Sequence, residues 1–400
     1  MQTDPHPPLH DVRVLDASRV LAGPFCGQIL GDLGAEVIKI ERPGSGDETR
    51  QWGPPFLGSL SAYYLSCNRN KKAITLDIAR KQGIDLFYQL VQKCDVVIEN
   101  FRTSSADKLG LSPANLLSFN PRLIVCSISG FGRTGPMSDL PGYDFAIQAL
   151  SGLMSITGPK EGPPSKVGVA VTDVTTGLYS AIAILACLHA RKQSGHGYAI
   201  DMALLDCAVA SQVNVAQAFL TSGKDPERQG NAHLQIVPYE LFATADSWLV
   251  LAVGNDGQWQ RFCMAAEQLE LAAAAEFATN IQRVQNRNSL VPTVADVMRT
   301  LTTSTWQERL LKADVPHAPV WNYSELFASS QVEERGMRMT VRDPQGRPVE
   351  LVGSPFHIAG SGRGNHSSPT EIGQASETVL RELLGIDGKA AAILREHGII

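Results

Sequence analysis

From Val12 the chain alternates short apolar runs with stretches of helical spacing. VRVLDAS (12–18) predicts a strand, PFCGQILGDLG (24–34) a helix ended by Gly34, and AEVIKIE (35–41) a second strand. AITLDI (73–78), a helix over IDLFYQLVQKC (84–94), DVVIENF (95–101) and LIVCSIS (123–129) continue the alternation. Strands alternating with helices predict βαβ units, hence an α/β fold with a Rossmann-like large domain whose parallel sheet is covered on both faces. Such sheets bind ligands at the carboxyl ends of their strands, so the loops after Asp16, Glu41, Asn100 and Ser129 are candidates.

A long helix follows Asp173. Asp173, Thr175 and Thr176 can cap its start, Leu178 to His189 supplies apolar and small residues, and Arg191 and Lys192 suit its end. SGHG then turns into a strand, YAIDMALL (198–205). After about residue 225 the polar stretch KDPERQGNAH leads to a second unit, read as a smaller α+β domain. In it IVPYELFATADSWLVLAV predicts a hairpin around Thr244–Ser247, and Gln258 to Leu269 and WQERLLKADV predict helices. MRMTVRDPQGRPVELVGSPF predicts a hairpin with DPQG at its turn, and Glu377 to Leu384 a closing helix. Gly34, Gly53 and the glycines around Ser361 are candidates for unusual backbone angles.

Composition narrows the class. A net charge of −5 over 400 residues argues against a protein that coats nucleic acid. The seven cysteines are scattered and form no C-x-x-C pair, which suggests reduced thiols, a cytoplasmic location and no zinc site. The polar start MQTDPHPPLHD resembles a short disordered arm rather than a signal peptide. The longest strongly apolar run, Ala181 to Leu188, is short of the ~20 residues of a membrane helix.

Gly23, Gly27 and Gly31 recur every four residues without the Walker or dinucleotide pattern, which favours close packing of one helix face over phosphate binding. The helix start at Ala22–Gly23 still offers free N–H groups to an anion. Arg42, Arg50, Arg69, Lys71, Lys72, Arg102 and Lys108 fall in the first quarter, either as a phosphate-binding group or as a solvated surface. Trp52 and Trp259 suit core or loop anchoring. His233 is a structural histidine or a pocket residue, and His317 and His357 are structural. Asp173 is the most pointed candidate. It is either a helix cap or a carboxylate that keeps a lowered pKa, stays nucleophilic and neighbours N–H groups able to receive an oxyanion.

Taken together, LDASRVLAGPFCGQILGDLGAEVIKIERPGSGDETR, NRNKKAITLDI, DVVIENFR, GFGRTGP, GYDFAIQALSGLMSITG and GVAVTDVTTGLY resemble the class III CoA-transferases. That family includes formyl-CoA transferase, carnitine CoA-transferase and the α-methylacyl-CoA racemases. The blocks TRQWGPPF, YYLSCNRNKKAI, SGLMSITGP and VPYELF most resemble its succinyl-CoA:glutarate (dicarboxylate) branch. The resemblance implies that Asp173 is the covalent nucleophile. It implies CoA contacts at Val20, Leu21, Ala22, Arg42, Leu76, Asp77, Asn100, Phe101, Arg102 and Lys108, with Tyr143 near the nucleophile. Acyl-CoA and a small carboxylic acid are then substrates, and no cofactor or metal is permanently bound. Trp52 and His233 are candidate substrate contacts, and Arg50 is the candidate cation for a second carboxylate.

The resemblance also implies an interlocked, ring-like homodimer without nucleic-acid or membrane partners. Its domains would be 10–224 (large), 225–330 (small) and 331–400 (returning to the large domain). Two departures bear on chemistry. Racemases carry a histidine at the position of Tyr143, so racemisation, the alternative activity, loses a partner base. The glycine-rich flap of formyl-CoA transferase is replaced by VGNDGQW, which removes support for formyl or oxalyl specificity. A nicotinamide-dependent dehydrogenase lacks its glycine fingerprint, and a non-catalytic CoA-binding protein would tolerate loss of Asp173.

Overall fold

Short runs of aliphatic and β-branched residues build the centre of the first unit. The computed structural model describes residues 6–359 and 366–400, so the glycines around Ser361 and the first residues of the N-terminal arm lie outside it. The strands are β1 (Arg13–Asp16), β2 (Glu36–Glu41), the small hairpin β3 (Phe56–Leu57) and β4 (Leu60–Ser61), β5 (Lys71–Thr75), β6 (Val96–Glu99), β7 (Ile124–Ser129) and β8 (Tyr198–Ala203). Six of them form one sheet in the order β5-β2-β1-β6-β7-β8, every pair parallel.

Helices α1 (Ala22–Asp32), α2 (Ala62–Cys67), α3 (Lys81–Val91), α4 (Thr103–Lys108) and α5 (Pro113–Phe119) precede β7 in the chain. Next come α6 (Asp144–Leu150), α7 (Leu153–Ile156), α8 (Val171–Ser194), α9 (Leu204–Ser211) and α10 (Val213–Ser222). Side chains alternate across the sheet. Leu15, Ile38, Ile74, Val97 and Val125 pack under α3, α5 and the C-terminal helices Ser376–Leu384 and Gly388–Glu396. Val14, Val37, Val96, Ile98 and Cys126 pack under α1, α8 and α9. A sheet buried on both faces has continuous apolar strands, which is why these runs are readable in the sequence.

Chain connections run outward from β1 in both directions, through β2 to β5 and through β6 to β8, so the switch point of the sheet lies between β1 and β6. A crevice opens there at the carboxyl ends of the strands. Asn100 spans it: Arg19 N–H donates to Asn100 Oδ1 (2.9 Å), and Asn100 Nδ2 donates to the Arg19 carbonyl (2.7 Å).

Helix α8 is much longer than its Ala181–Leu188 run, and by length and composition alone could cross a bilayer. Its packing accounts for one face of that apolarity: Gly177, Ala181, Ile184 and Leu188 face α1 and the sheet, while Leu178 and Ile182 are exposed. The glycines of α1 serve packing as expected. A Cβ on Gly23 would fall 2.2 Å from Ser18 Oγ, and one on Gly27 2.8 Å from Asp16 Oδ2. Gly34 has φ +103°, as its position suggested. Gly53 does not take a left-handed angle; it leaves room for Phe56, whose ring lies 2.3 Å from where a Cβ would be.

Buried ion pairs lie beneath the strand ends. Lys71 Nζ meets Asp16 Oδ2 at 2.8 Å, the Pro24 carbonyl at 2.6 Å and Asn68 Oδ1 at 3.0 Å. Arg69 pairs with Asp32, Arg50 with Glu41 and Lys39 with Asp47, all largely withdrawn from solvent. Residues 331–400 group with this unit. The hairpin of strands Arg338–Arg342 and Pro348–Val352 belongs to it, and Ile399 O accepts from Asp77 N–H (2.8 Å).

The second compact unit comprises residues 154–166 and 223–330, so the segment 154–166 groups with it although the sequence division at 224/225 assigns that segment to the large domain. Antiparallel strands β9 (Tyr239–Ala243), β10 (Trp248–Ala252) and β11 (His317–Pro319) pack on Trp259, Phe262, Leu290 and Trp306. Arg283, fully buried, ties Val237 O, Phe277 O and Asp256. The remaining hairpin, β12 (Arg338–Arg342) with β13 (Pro348–Val352), turns at Asp343–Gly346 as its DPQG sequence predicts.

Lys71→Met removes the main partner of a buried carboxylate. It is expected to destabilise the first unit by about 3–5 kcal/mol, and Asp16→Val in the same chain to restore part of the loss. Melting temperatures of the two single variants and the double variant check this.

Candidate active site

Asp173 lies in the first turn of α8, not at its cap. The N-cap is Ala170, which offers no side-chain cap. The cap comes from another element. Asp144 Oδ1 accepts from the Thr172 N–H (2.9 Å) and hydroxyl (2.7 Å), and Gln148 Nε2 holds Asp144 Oδ2 at 2.7 Å. Thr175 and Thr176, also expected to cap, instead donate back to the Val171 and Thr172 carbonyls at 2.8 and 2.7 Å. Asp173 is thereby released from structural duty, and among the described residues none hydrogen-bonds its carboxylate.

Its electrostatics also differ from the expectation. Burial, and secondarily the neighbouring Asp144 carboxylate, push the Asp173 carboxyl up to about 7 rather than down. The helix terminus does not outweigh this; the Thr172 N–H of its first turn is already taken by Asp144.

Gly177, one turn after Asp173 and on the same helix face, brings α8 against α1: a Cβ there would lie 2.8 Å from the Ala22 carbonyl. Asp173 consequently lines a cavity of about 120 Å³ together with Arg19, Val20, Leu21 and Ala22 at the start of α1. The α1 start has no side-chain cap, so its first N–H groups remain available to a developing negative charge. Asn100, Phe101 and Arg102 form another wall. Ser129, Gly130, Gly142 and Tyr143 complete it. Gly130 and Gly142 pass so close that a Cβ on either would meet the other's Cα within 2.5 Å, which fixes the entry to Tyr143 and Asp144.

A larger cavity of about 600 Å³ adjoins it. Lys39, Arg42, Gly46, Asp47, Leu76, Asp77 and Ile78 line it, and Arg19, Glu48 and Phe101 line both. Val20, Leu21, Ala22, Asn100, Phe101, Arg102, Tyr143 and Asp173 thus surround one cavity, and Arg42, Leu76 and Asp77 the next. Lys108 lines neither; it is exposed at the end of α4, one residue before Leu109, which does line the larger cavity.

The early basic residues separate into two groups. Arg69 and Lys71 are locked in buried pairs, and Lys72 pairs with Glu36. Arg50, expected to meet a substrate carboxylate, does not: its Nε and Nη2 bind Glu41 at 2.9 and 2.6 Å, and Nη2 also meets Tyr64 Oη and Thr370 O. Arg42, Arg102 and Lys108 remain exposed to solvent.

Trp52 lies outside the lining of either cavity. It packs edge-on to Tyr63 at 5.0 Å between centroids. Burial, and then Asp173, raise the Tyr63 hydroxyl's pKa, so this phenol lies in the field of Asp173. His233 belongs to the second unit, where its Nδ1 accepts from Gln235 N–H at 3.0 Å and its ring tilts against Tyr239. Residues that sequence reasoning missed are Asp144, Tyr63, Arg19 and Asp47. All four were visible only as members of quoted blocks. Among the described residues no group of three or more His, Cys, Asp or Glu side chains is placed to hold a metal ion.

A family model described as CoA-transferase family III matches residues 9–374. The chain belongs to CoA-transferase family III. It is 40% identical over 393 residues to succinyl-CoA:glutarate CoA-transferase of Homo sapiens, covering 98% of this chain and 90% of the relative. It is 43% identical over 397 residues to succinate–glutarate CoA-transferase of Agrobacterium fabrum, covering 96% and 98%. A CAIB/BAIF family protein from Brucella suis superposes with a TM-score of 0.84 at 40% identity, covering 94% of this chain and 100% of that one. As a family III member this protein is an enzyme of the CoA-transferase class (EC 2.8.3), with CoA thioesters as substrates.

For this CoA-transferase the buried Asp173 has a stability signature. A carboxyl whose pKa is higher in the folded than in the unfolded chain costs nothing while both states are protonated, and its penalty grows from about pH 4 to 7. With the folded value near 7, Asp173→Asn removes a cost of up to about 4 kcal/mol above neutrality. Its melting temperature is expected to exceed wild type clearly at pH 8.5 and by much less at pH 5, in matched thermal melts.

Proposed function

We propose that this enzyme moves CoA from succinyl-CoA to a free dicarboxylate such as glutarate, with Asp173 as covalent carrier. The observation that carries the proposal is the placement of an otherwise unbonded carboxylate beside the open N-terminus of α1, in a cavity adjoining one of nucleotide size. The donor and acceptor rest on the activities for which the human and Agrobacterium relatives are named.

The proposed cycle balances at each step. The Asp173 carboxylate attacks the thioester carbonyl, forming a mixed anhydride and expelling CoA thiolate. The thiolate attacks the aspartyl carbonyl, giving an aspartyl-CoA thioester and free succinate. The acceptor carboxylate attacks that thioester, forming a new anhydride and thiolate; the thiolate then takes the acceptor acyl group and regenerates Asp173. Each oxyanion would face the α1 N–H groups. No bond is made that another of similar energy does not replace.

We further infer that two copies assemble as interlocked rings. Helix α10 buries none of its side chains in the single chain, and Leu178, Ile182, Val209, Val213 and Leu220 on α8, α9 and α10 are exposed. Apolar surface of that extent marks a protein interface. A chain whose seven cysteines are all free suits a cytoplasmic location.

Under turnover, hydroxylamine is expected to trap Asp173 as a hydroxamate, read by mass spectrometry of the peptide spanning residues 168–191; an unmodified aspartate would overturn the covalent route. Asp173→Ala should lower transfer on the order of 10³-fold or more while retaining CoA affinity. Since the anion is the nucleophile, kcat/KM should rise with pH through a midpoint near 7. Glutarate failing as acceptor while other acids succeed would move the specificity, and α-hydrogen exchange without transfer would favour the racemase alternative. Light scattering should give a mass of two chains.

A further inference from the structure

Asp47 of GSGDETR has no part in the cycle above, yet it lies under the loop that carries the α1 start. We propose that Asp47 is a positioning residue of this transferase, holding Val20 in a strained conformation so that residues 19–22 present their backbone to the thioester beside Asp173. The proposal rests on the reading of the Asp173 cavity as the site of reaction.

Val20 has φ +70°, an angle that β-branched residues avoid because the side chain collides with the backbone. Such a residue persists only where its surroundings over-determine it. Both oxygens of Asp47 face the Val20 N–H, at 3.4 and 3.3 Å. Lys39 Nζ bridges Asp47 Oδ2 and the Ser18 carbonyl, each at 3.0 Å, so the same ion pair grips the loop on either side of Arg19.

Asp47 is itself immobile. Its N–H donates to Glu41 Oε1 (3.0 Å), its Oδ1 accepts from the Thr49 N–H (3.0 Å) and hydroxyl (2.7 Å), and Arg50 clamps Glu41. Side-chain exposures of 0% for Lys39 and 1% for Asp47 exclude water from the pair. The bland alternative is that Asp47 merely caps the turn Glu48–Gln51. A serine would serve that purpose equally but could not reach Val20 or Lys39.

Asp47→Ser therefore separates the two roles. It should fold, keep its cap, and lose about 10²-fold in kcat/KM with both kcat and KM for acyl-CoA affected, as a misplaced reacting group does. Glycine takes left-handed angles freely, so Asp47→Ser should cost about tenfold less when made in Val20→Gly than when made in the wild type. A loss under twofold in Asp47→Ser, or strictly multiplicative effects of the two substitutions, would overturn the proposal. If Asp47→Ser does not fold, the same cycle on Asp47→Asn decides by the same rescue. Hydroxylamine trapping of wild-type Asp173 is scored separately. Failure of trapping refutes the nucleophile, whereas failure of rescue with trapping intact refutes only the role of Asp47.

Discussion

At position 177 helix α8 puts no side chain against the beginning of α1. Gly177 lets the two helices meet at the Ala22 carbonyl, and that approach determines everything around Asp173. It sets the carboxylate beside N–H groups that have no cap and withdraws it from solvent. A Cβ at 177 would lie 2.8 Å from the Ala22 carbonyl and force the two helices apart. Because α1 springs from β1 and the Asn100 wall from β6, the contact also fixes the cavity to the switch point of the sheet. Topology, packing and electrostatics therefore converge on one glycine.

The charges around the cavities sort by partner. Lys71 on β5 and Arg69 in the loop before it, which a linear reading groups with candidate ligand cations, neutralise buried acids. Unpaired, those acids would each cost several kcal/mol. Arg42 and Arg102 instead stay exposed to solvent. The division is economical for binding, since a cation already committed to a buried carboxylate contributes little new attraction to a phosphate.

Much of this was legible in the chain, for physical reasons. Strands buried on both faces must be apolar throughout, so VRVLD, EVIKIE and LIVCSIS announced themselves. Glycines four apart had to share a helix face, and the small, apolar flanks of Asp173 marked it as a sheltered charge. What stayed hidden involves partners distant in sequence. Lys71 meets Asp16 across 55 positions and Arg69 meets Asp32 across 37, so the buried pairs could not be told from free cations. The α8 cap comes from Asp144, 28 residues before Thr172. Without that knowledge Asp173 was expected to enjoy the helix terminus and a lowered pKa. With it, burial and a neighbouring carboxylate dominate.

That reversal of sign bears on how a single carboxyl can serve the proposed cycle. Asp173 must attack as a nucleophile and later depart from carbon as a leaving group, and these demands oppose each other. Raising its basicity towards 7 improves attack on a thioester relative to an ordinary carboxylate. The same change would slow its departure when thiolate strikes the second carbonyl of the anhydride, unless the negative charge is stabilised as it develops. In the proposed cycle the uncapped α1 N–H groups would meet this by receiving the oxyanion of each tetrahedral intermediate, a charge that the resting site does not carry. Desolvation and a preformed dipole, delivered by two helices at one contact, thus answer the two halves of the exchange separately.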